Sequence, residues 1–410
     1  MSATPSTFIS GSETPLSSSS ASSSTAGTAG NISDESPRVV ISIRDLRKDY
    51  GAIKAVKGID LDISEGEIFG LIGPDGAGKT TIFQILGGVM QPTSGEAIVH
   101  GQPARAARAS VGYLTQTFSL YQDLSVAENL RYIGELRKLS NAEIESRGRH
   151  YLEMFDMDRF VDRLAGRLSG GMKQKLALAC ALIAQPKILL LDEPTTGVDP
   201  VSRREFWDAL VNFSVEGMTI VIATPYLDEA ERCARVALIN DGMIHQSGTP
   251  SELRQRLGLI RLEVHAADLS QAEDVLEAAS GIEDVQRFGD RLDVMVRDAA
   301  LGEKTTREAL GAAGVAIEEV RSAQPTLENT FVSVLREIGG QVHVPPFPRQ
   351  RVLKKRTPEE IAIGARDLHK TFGDFHAVSG VNIEVKYGEI YGLLGANGAG
   401  KTTIIKMLCG

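Results

Sequence analysis

Gly73-Pro74-Asp75-Gly76-Ala77-Gly78-Lys79-Thr80 is the stretch around which the rest of the chain is read. It fits the phosphate-loop pattern G-x-x-x-x-G-K-[ST]. Upstream, Glu67 to Ile72 is a short apolar run that predicts a buried strand. Downstream, Ile82, Ile85 and Leu86 recur at helical spacing and predict a helix from Thr80 to Leu86. Strand, glycine loop and helix is the context that phosphate binding requires. Glycines 73, 76 and 78 let backbone N–H groups close around phosphate oxygens without a Cβ in the way. The helix N-terminus adds the positive end of its dipole. Lys79 supplies a point charge for the β- and γ-phosphates, the Thr80 hydroxyl suits Mg²⁺, and Thr81 is the next candidate nucleotide-binding residue.

Size and charge bound the alternatives. The 410 residues suffice for two or three domains, and the formal net charge of −9 argues against nucleic acid as main partner. No apolar run approaches the ~18 residues of a membrane span. Cys180, Cys233 and Cys409 are far apart and lack metal or redox spacing, so each reads as core filler. The seven histidines form no zinc pattern.

Residues 1–37 are rich in Ser, Thr, Gly and Ala and read as a disordered tail without signal-peptide features. From Val39 the texture changes. Val39–Leu46 and Ile59–Ile63 read as strands, with Gly51 and Gly58 marking turns. Tyr50, ahead of the loop, suits either packing or stacking on a nucleobase. Beyond the loop helix, Glu96–His100 and Ser110–Thr115 predict strands, the second leading to Gln116. Ser125–Leu139 and Asn141–Phe155 predict a helical insertion. Ser169-Gly170-Gly171 opens an apolar helix, either as an ordinary N-cap or as a second phosphate-binding terminus.

Lys187-Ile188-Leu189-Leu190-Leu191-Asp192-Glu193 predicts a central strand of a parallel sheet, buried on both faces. Its two terminal carboxylates lie where ligands bind in open α/β sheets. Asp192 suits Mg²⁺, and Glu193 suits orienting or deprotonating a water. A turn at Thr196–Pro200, a helix from about Val201 to Val215 and a buried strand at Thr219–Ala223 follow.

In this order the elements resemble the ATP-binding domain of ABC transporters. The resemblance makes the glycine loop Walker A, Lys187–Asp192 Walker B and Glu193 the catalytic glutamate. It makes Gln116 the Q-loop residue and a Mg²⁺ ligand beside Thr80 and Asp192. Ser169–Gly171 becomes the signature, Asp199 the D-loop and Tyr50 the adenine-stacking aromatic. One position departs from the pattern. The family usually carries a histidine where this chain has Pro225, which has neither N–H nor side-chain donor. Loss of one preorganised donor costs about 10²–10³ in rate, so this site is expected to hydrolyse slowly or to work mainly by binding.

Residues 258–338 predict a β-α-β-β-α-β sandwich of ferredoxin-like order and resemble the C-terminal accessory domain of some drug-export ATPases. Its strands are expected at Leu259–Val264, Ile282–Arg287, Arg291–Val296 and Val315–Val320. Helices are expected at Leu269–Ala279, Glu303–Ala313 and Leu327–Glu337. Residues 339–359, with four prolines among basic residues, read as a linker.

Then the chain repeats itself. Phe372 lies 322 residues after Tyr50, Gly395 322 after Gly73, and Lys401 322 after Lys79. The second loop is Gly395-Ala396-Asn397-Gly398-Ala399-Gly400-Lys401-Thr402, followed by Thr403. A fixed offset marks a duplicated domain. By resemblance Phe372 stacks on the base, Thr402 ligates Mg²⁺, and residues 360–410 are the start of a second ATP domain. Lacking the rest of a sheet, they are expected to be marginal alone.

The fold class that emerges is α/β: a P-loop ATPase domain with an antiparallel β subdomain and a helical insertion over residues 38–257. A small α+β domain and the opening of a second ATPase domain follow. The resemblance implies an ATP- and Mg²⁺-dependent subunit on the cytoplasmic side of the inner (plasma) membrane. There it would power a separate permease in small-molecule efflux, paired with a second ATP domain. A soluble tandem ATPase acting on the ribosome and an uncoupled ATP-binding fragment are the alternatives.

Overall fold

A computed structural model describes residues 38–337, 360–387, 389–396 and 398–410. The expected disordered tail, the expected linker and Asn397 lie outside the described residues.

In chain order, β1 (Val39–Tyr50) and β2 (Ile53–Ser64) form a long hairpin, and β3 (Ile68–Ile72) leads into the loop and α1 (Lys79–Leu86). There follow β4 (Ser94–Val99), β5 (Gln102–Pro103), the single turn α2 (Ala104–Ala107) and β6 (Val111–Leu114). The insertion comprises α3 (Val126–Leu136), α4 (Asn141–Met154) and the start of α5 (Gly170–Leu182). The domain closes with β7 (Ile188–Asp192), α6 (Pro200–Val215), β8 (Thr219–Thr224), α7 (Leu227–Ala230), β9 (Arg235–Asn240), β10 (Met243–Gly248) and α8 (Pro250–Leu257).

Two sheets result. β2-β1-β4-β5 is antiparallel; β10-β9-β3-β8-β7-β6 is parallel apart from the β9–β10 hairpin. Every residue of β3, β7 and β8 is buried, as continuous apolar runs predict. Their side chains alternate between two cores. Phe69, Leu71, Ile188, Leu190 and Val221 pack under the antiparallel sheet and α1. Ile68, Ile72, Leu189, Leu191, Ile220 and Ile222 pack beneath the helical insertion and α6. The sheet thus fixes the carboxyl ends of β3, β7 and β8 side by side: Ile72 pairs with Thr224, and Asp192 with Ala223.

The helices start where side-chain chemistry caps them. Ser125 and Ser140 form capping boxes with Glu128 and Glu143. Asp199 caps α6, with Pro200 in its first turn. One reading needs correction. Gly58 does not mark a turn; it sits inside β2 at φ +93°, beside a register shift opposite Leu46 and Arg47. A glycine within a strand pattern signals a bulge as readily as a turn.

The second unit contains β11 (Ile260–Ala266), α9 (Leu269–Glu277), β12 (Asp284–Phe288), β13 (Arg291–Val296), α10 (Ala299–Ala312), β14 (Ile317–Ala323) and α11 (Leu327–Glu337). Its antiparallel order, β12-β13-β11-β14, is that of a ferredoxin-like sheet. α9 and α10 cover one face through Leu262, Val294, Leu276 and Leu310. α11 straps the other face: Asn329 Nδ2 donates to Gln286 Oε1 at 2.9 Å and to the buried Asp293 at 3.3 Å. Leu327 of the same helix joins the buried cluster of the first domain that holds Trp207.

The repeated segment forms the hairpin β15 (Ile361–Phe372) and β16 (Phe375–Lys386), then α12 (Lys401–Cys409). Residues 389–394, equivalent to β3, form no strand here. Ile390 and Leu394 are 100% and 92% exposed, whereas their counterparts Ile68 and Ile72 are 6% and 1% exposed. Parallel neighbours make the difference, because β8 and β9 flank β3.

Candidate functional site

The loop after β3 is shaped around Lys79. Its ammonium donates to the carbonyls of Gly73 at 2.8 Å and Pro74 at 3.0 Å, so the side chain curls back over the loop. Gly78, the residue before α1, has φ +103°, and a Cβ there would stand 2.5 Å from the Ala55 carbonyl oxygen. Only glycine meets both demands. Asp75 and Gly76 are exposed at the loop tip; Ala77 is buried, and Thr80 and Thr81 are half-buried at the helix start.

β7 delivers the carboxylates. Asp192 is its last residue; its two oxygens are buried and make no hydrogen bond of full geometry, with the hydroxyls of Thr80 and Tyr113 the polar groups that face them. Burial pushes its carboxyl pKa above the ordinary range, with the Thr80 hydroxyl pulling the other way and the Glu193 charge adding to the rise. The phenol of Tyr113 on β6 is likewise pushed up, by burial first and then by Asp192. Buried, orphaned carboxylate oxygens facing a threonine hydroxyl are a donor set that fits Mg²⁺.

Glu193 steps out of the strand. Its φ is +50°, a conformation that costs a non-glycine residue ~1–3 kcal/mol and turns the chain at the end of β7. Its N–H still bonds to the Ala223 carbonyl at 2.8 Å. The carboxylate lies 3.4 Å from the Lys79 ammonium and accepts from Gln116 Nε2 at 2.9 Å. Lys79, Gln116, Asp192 and Glu193, read separately from the sequence, therefore converge. Tyr113 is an addition that sequence reasoning missed; its only signal was its place two residues before the end of a predicted strand.

Other expected residues lie elsewhere. Tyr50 is 44% exposed at the end of β1, with its hydroxyl 3.0 Å from Met90 Sδ. The Ser169 hydroxyl caps α5 by accepting from the Met172 N–H at 3.3 Å. Gly171 is close-packed, since a Cβ would stand 2.6 Å from Ser202 Oγ. Among the described residues, no hydrogen bond or ion pair joins Ser169–Gly171 to the Lys79 loop. Pro225 is half-buried just beyond β8.

The repeat reproduces the cradle. Lys401 donates to the carbonyls of Gly395 at 2.7 Å and Ala396 at 2.8 Å, and Gly400 before α12 has φ +85°. Thr402 is exposed and Thr403 half-buried; Gly398 also has positive φ. Phe372 is 57% exposed with Lys370 Nζ 5.4 Å from its ring, as Lys48 Nζ is 5.5 Å from Tyr50.

Comparison with known proteins identifies the family. A family model described as ABC transporter matches residues 56–196 and 378–410, both copies of the cradle. A model for the C-terminal domain of DrrA1-3-like ATP-binding proteins matches residues 248–335. The daunorubicin resistance ATP-binding protein DrrA3 of Streptomyces coeruleorubidus is 34% identical over 71% of this chain and 94% of its own length. The chain belongs to the ABC transporter ATP-binding proteins. Within that family, the probable multidrug ABC transporter ATP-binding protein YbhF of Escherichia coli is 39% identical over 90% of this chain. The chain spans 64% of YbhF's length. The solved structure of cbiO1 from Clostridium perfringens, part of the ABC transporter complex cbiONQ, superposes with a TM-score of 0.50 at 30% identity. It covers 54% of this chain and 92% of its own. ABC ATPase domains bind ATP, and the cradle around Lys79 lies on that fold. No helix among the described residues is long and apolar enough to cross a membrane.

Proposed function

We propose that this chain binds and hydrolyses ATP to drive a separate membrane permease that exports drug-like small molecules. The convergence of Lys79, Gln116, Glu193 and the unpartnered Asp192 on one loop carries the reading. Lys79 and the backbone N–H groups of residues 73–80 hold the phosphates; Tyr50 stacks on the base. Thr80, Asp192 and Gln116 hold Mg²⁺, which when bound neutralises phosphate charge. Arriving phosphates draw Lys79 away from Glu193 and free that carboxylate to orient a water for in-line attack on the γ-phosphorus. Names of relatives, a probable multidrug transporter protein and a daunorubicin resistance protein, support the substrate class.

A second ATP domain completes each site, from the repeated half or from another copy. Ser169, Gly170 and Gly171 then face the nucleotide held by Lys401 and Thr402, while Phe372, Gly395, Gly398, Gly400 and Thr403 complete that second cradle. Work at a permease places the chain peripherally on the cytoplasmic face of the inner membrane. The net charge of −9 speaks against a nucleic-acid partner.

Pro225 offers no donor to the γ-phosphate, so the first site turns over slowly. Single-turnover hydrolysis by the full chain tests both points. Glu193→Gln is expected to abolish product formation, and Pro225→His to raise the rate. Full hydrolysis by Glu193→Gln contradicts the assignment; no gain in Pro225→His contradicts the role of the proline. Fractionation with ATP should place the chain with membranes, and recovery with ribosomes would overturn the permease partner.

A further inference from the structure

A third buried carboxylate, after Asp192 and Glu193, sits beside the site and has no part in the chemistry just described. Glu229, on the one-turn helix α7, is 1% exposed. One of its oxygens accepts from the Thr195 hydroxyl. The other is buried without a partner. Thr195 is itself 1% exposed, in the turn that leaves Glu193. That turn is tight: the Thr196 N–H bonds to the Glu193 carbonyl at 3.3 Å, and the Val198 N–H to the Thr195 carbonyl at 3.0 Å.

Arg203, in the first turns of α6, faces the same carboxylate. Its Nε is 3.8 Å from Glu229 Oε1 and has no hydrogen-bond partner of its own. Its Nη1 reaches Asp228 at 3.4 Å, and its guanidinium lies 4.9 Å from the centre of the Tyr226 ring. One carboxylate therefore touches three things. Through Thr195 it holds the turn carrying Glu193. Through Arg203 it holds the helix that Asp199 caps. Through its own backbone it belongs to the segment starting at Pro225.

We propose that Glu229 is a positioning residue that fixes the Glu193 turn and the Asp199-capped helix against the end of β8. Pro225 has no side-chain hydrogen-bonding group to offer here, so the polar link from the 225–229 segment to the turn of the hydrolytic carboxylate runs through Glu229. The positive φ of Glu193 makes the link necessary, because a strained turn keeps its aim only while its surroundings hold it. The unpartnered oxygen and the unpartnered Nε, 3.8 Å from the other oxygen, leave room to tighten when a nucleotide closes the site. This inference rests on ATP hydrolysis at the Lys79 cradle.

The test uses the full chain. Glu229→Gln keeps the shape and an acceptor for Thr195 but removes the charge that faces Arg203. Single-turnover hydrolysis is expected to fall about 10- to 100-fold, the scale of a misplaced reacting group, with ATP affinity within about twofold of wild type. Arg203→Met is expected to lose a similar factor, and the double variant no more than either alone. Thr195→Ser should retain the rate that Thr195→Val loses. Fluorescence melting of Trp207 confirms the fold of each variant. Unchanged hydrolysis in a folded Glu229→Gln chain, fully additive losses, or a fall in affinity matching the fall in rate would each overturn the proposal. Absence of hydrolysis in the wild-type chain would instead sink the functional reading itself, and this inference with it.

Discussion

Replacing Asp192 by asparagine should stabilise the nucleotide-free protein while removing its response to Mg·ATP. Both carboxylate oxygens are buried, and neither the Thr80 nor the Tyr113 hydroxyl facing them completes a hydrogen bond of full geometry. A buried group left unpaired costs ~1–3 kcal/mol, and more when charged. Asparagine has the same shape and leaves an equally buried amide, so what it relieves is the extra cost of burying the charge, of the same order. For a domain of this size that corresponds to roughly 2–12 °C in melting temperature. The pH dependence has a definite sign. Burial raises the folded-state pKa above the unfolded value near 4, so ionisation is a penalty of the folded state. The penalty is absent below the unfolded pKa, grows as pH rises from the unfolded to the folded pKa, and is complete above the folded one. The gap between variant and wild type should therefore be widest at neutral pH and close on acidification. Mg·ATP at one hundred times its Kd stabilises by ~2.7 kcal/mol, or roughly 5–11 °C. Wild type should show that shift and Asp192→Asn should not. Trp207, the single tryptophan, is 1% exposed in the first domain's core, so its fluorescence reads the unfolding of that domain. A variant that melts at or below the nucleotide-free wild type, or that keeps the full Mg·ATP shift, would refute the reasoning.

Two further outcomes follow from packing. Gly78→Ala forces φ +103° on a side chain whose Cβ meets the Ala55 carbonyl; it should cost ~1–3 kcal/mol in denaturant unfolding and, in a chain already carrying Lys401→Ala, abolish nucleotide binding. Leu327→Ala should cost ~2–5 kcal/mol, and the loss should appear in Trp207 fluorescence. A change confined to far-UV signal would mean that α11 belongs only to the second unit.

Much of this arrangement was legible in the sequence because single residues carried single physical demands. A run of four aliphatics ending in Asp192 and Glu193 has few homes except the middle of a parallel sheet. Glycine 78 and Lys79 announce a cradle by pattern alone. The β9–β10 hairpin was missed although Asp241-Gly242, both at positive φ, is a strong two-residue turn signal. Its strands are short, and polar residues interrupt β10. Gly58 misled because bulge and turn share one conformational demand. Glu229 and Arg203 were invisible for another reason. Their meaning is tertiary: α7 and α6 bring together residues far apart in sequence, and no local pattern distinguishes a buried carboxylate from a solvated one. The double membership of α11 is tertiary too, since its Leu327 and Asn329 serve different neighbours.

The most direct measurement is equilibrium binding of Mg·ATP to the chain with Lys401 already changed to alanine, with and without Lys79→Ala. The cradle geometry predicts an affinity at least ~10-fold weaker without Lys79, about 1.4 kcal/mol or more of binding free energy. An unchanged Kd would contradict it.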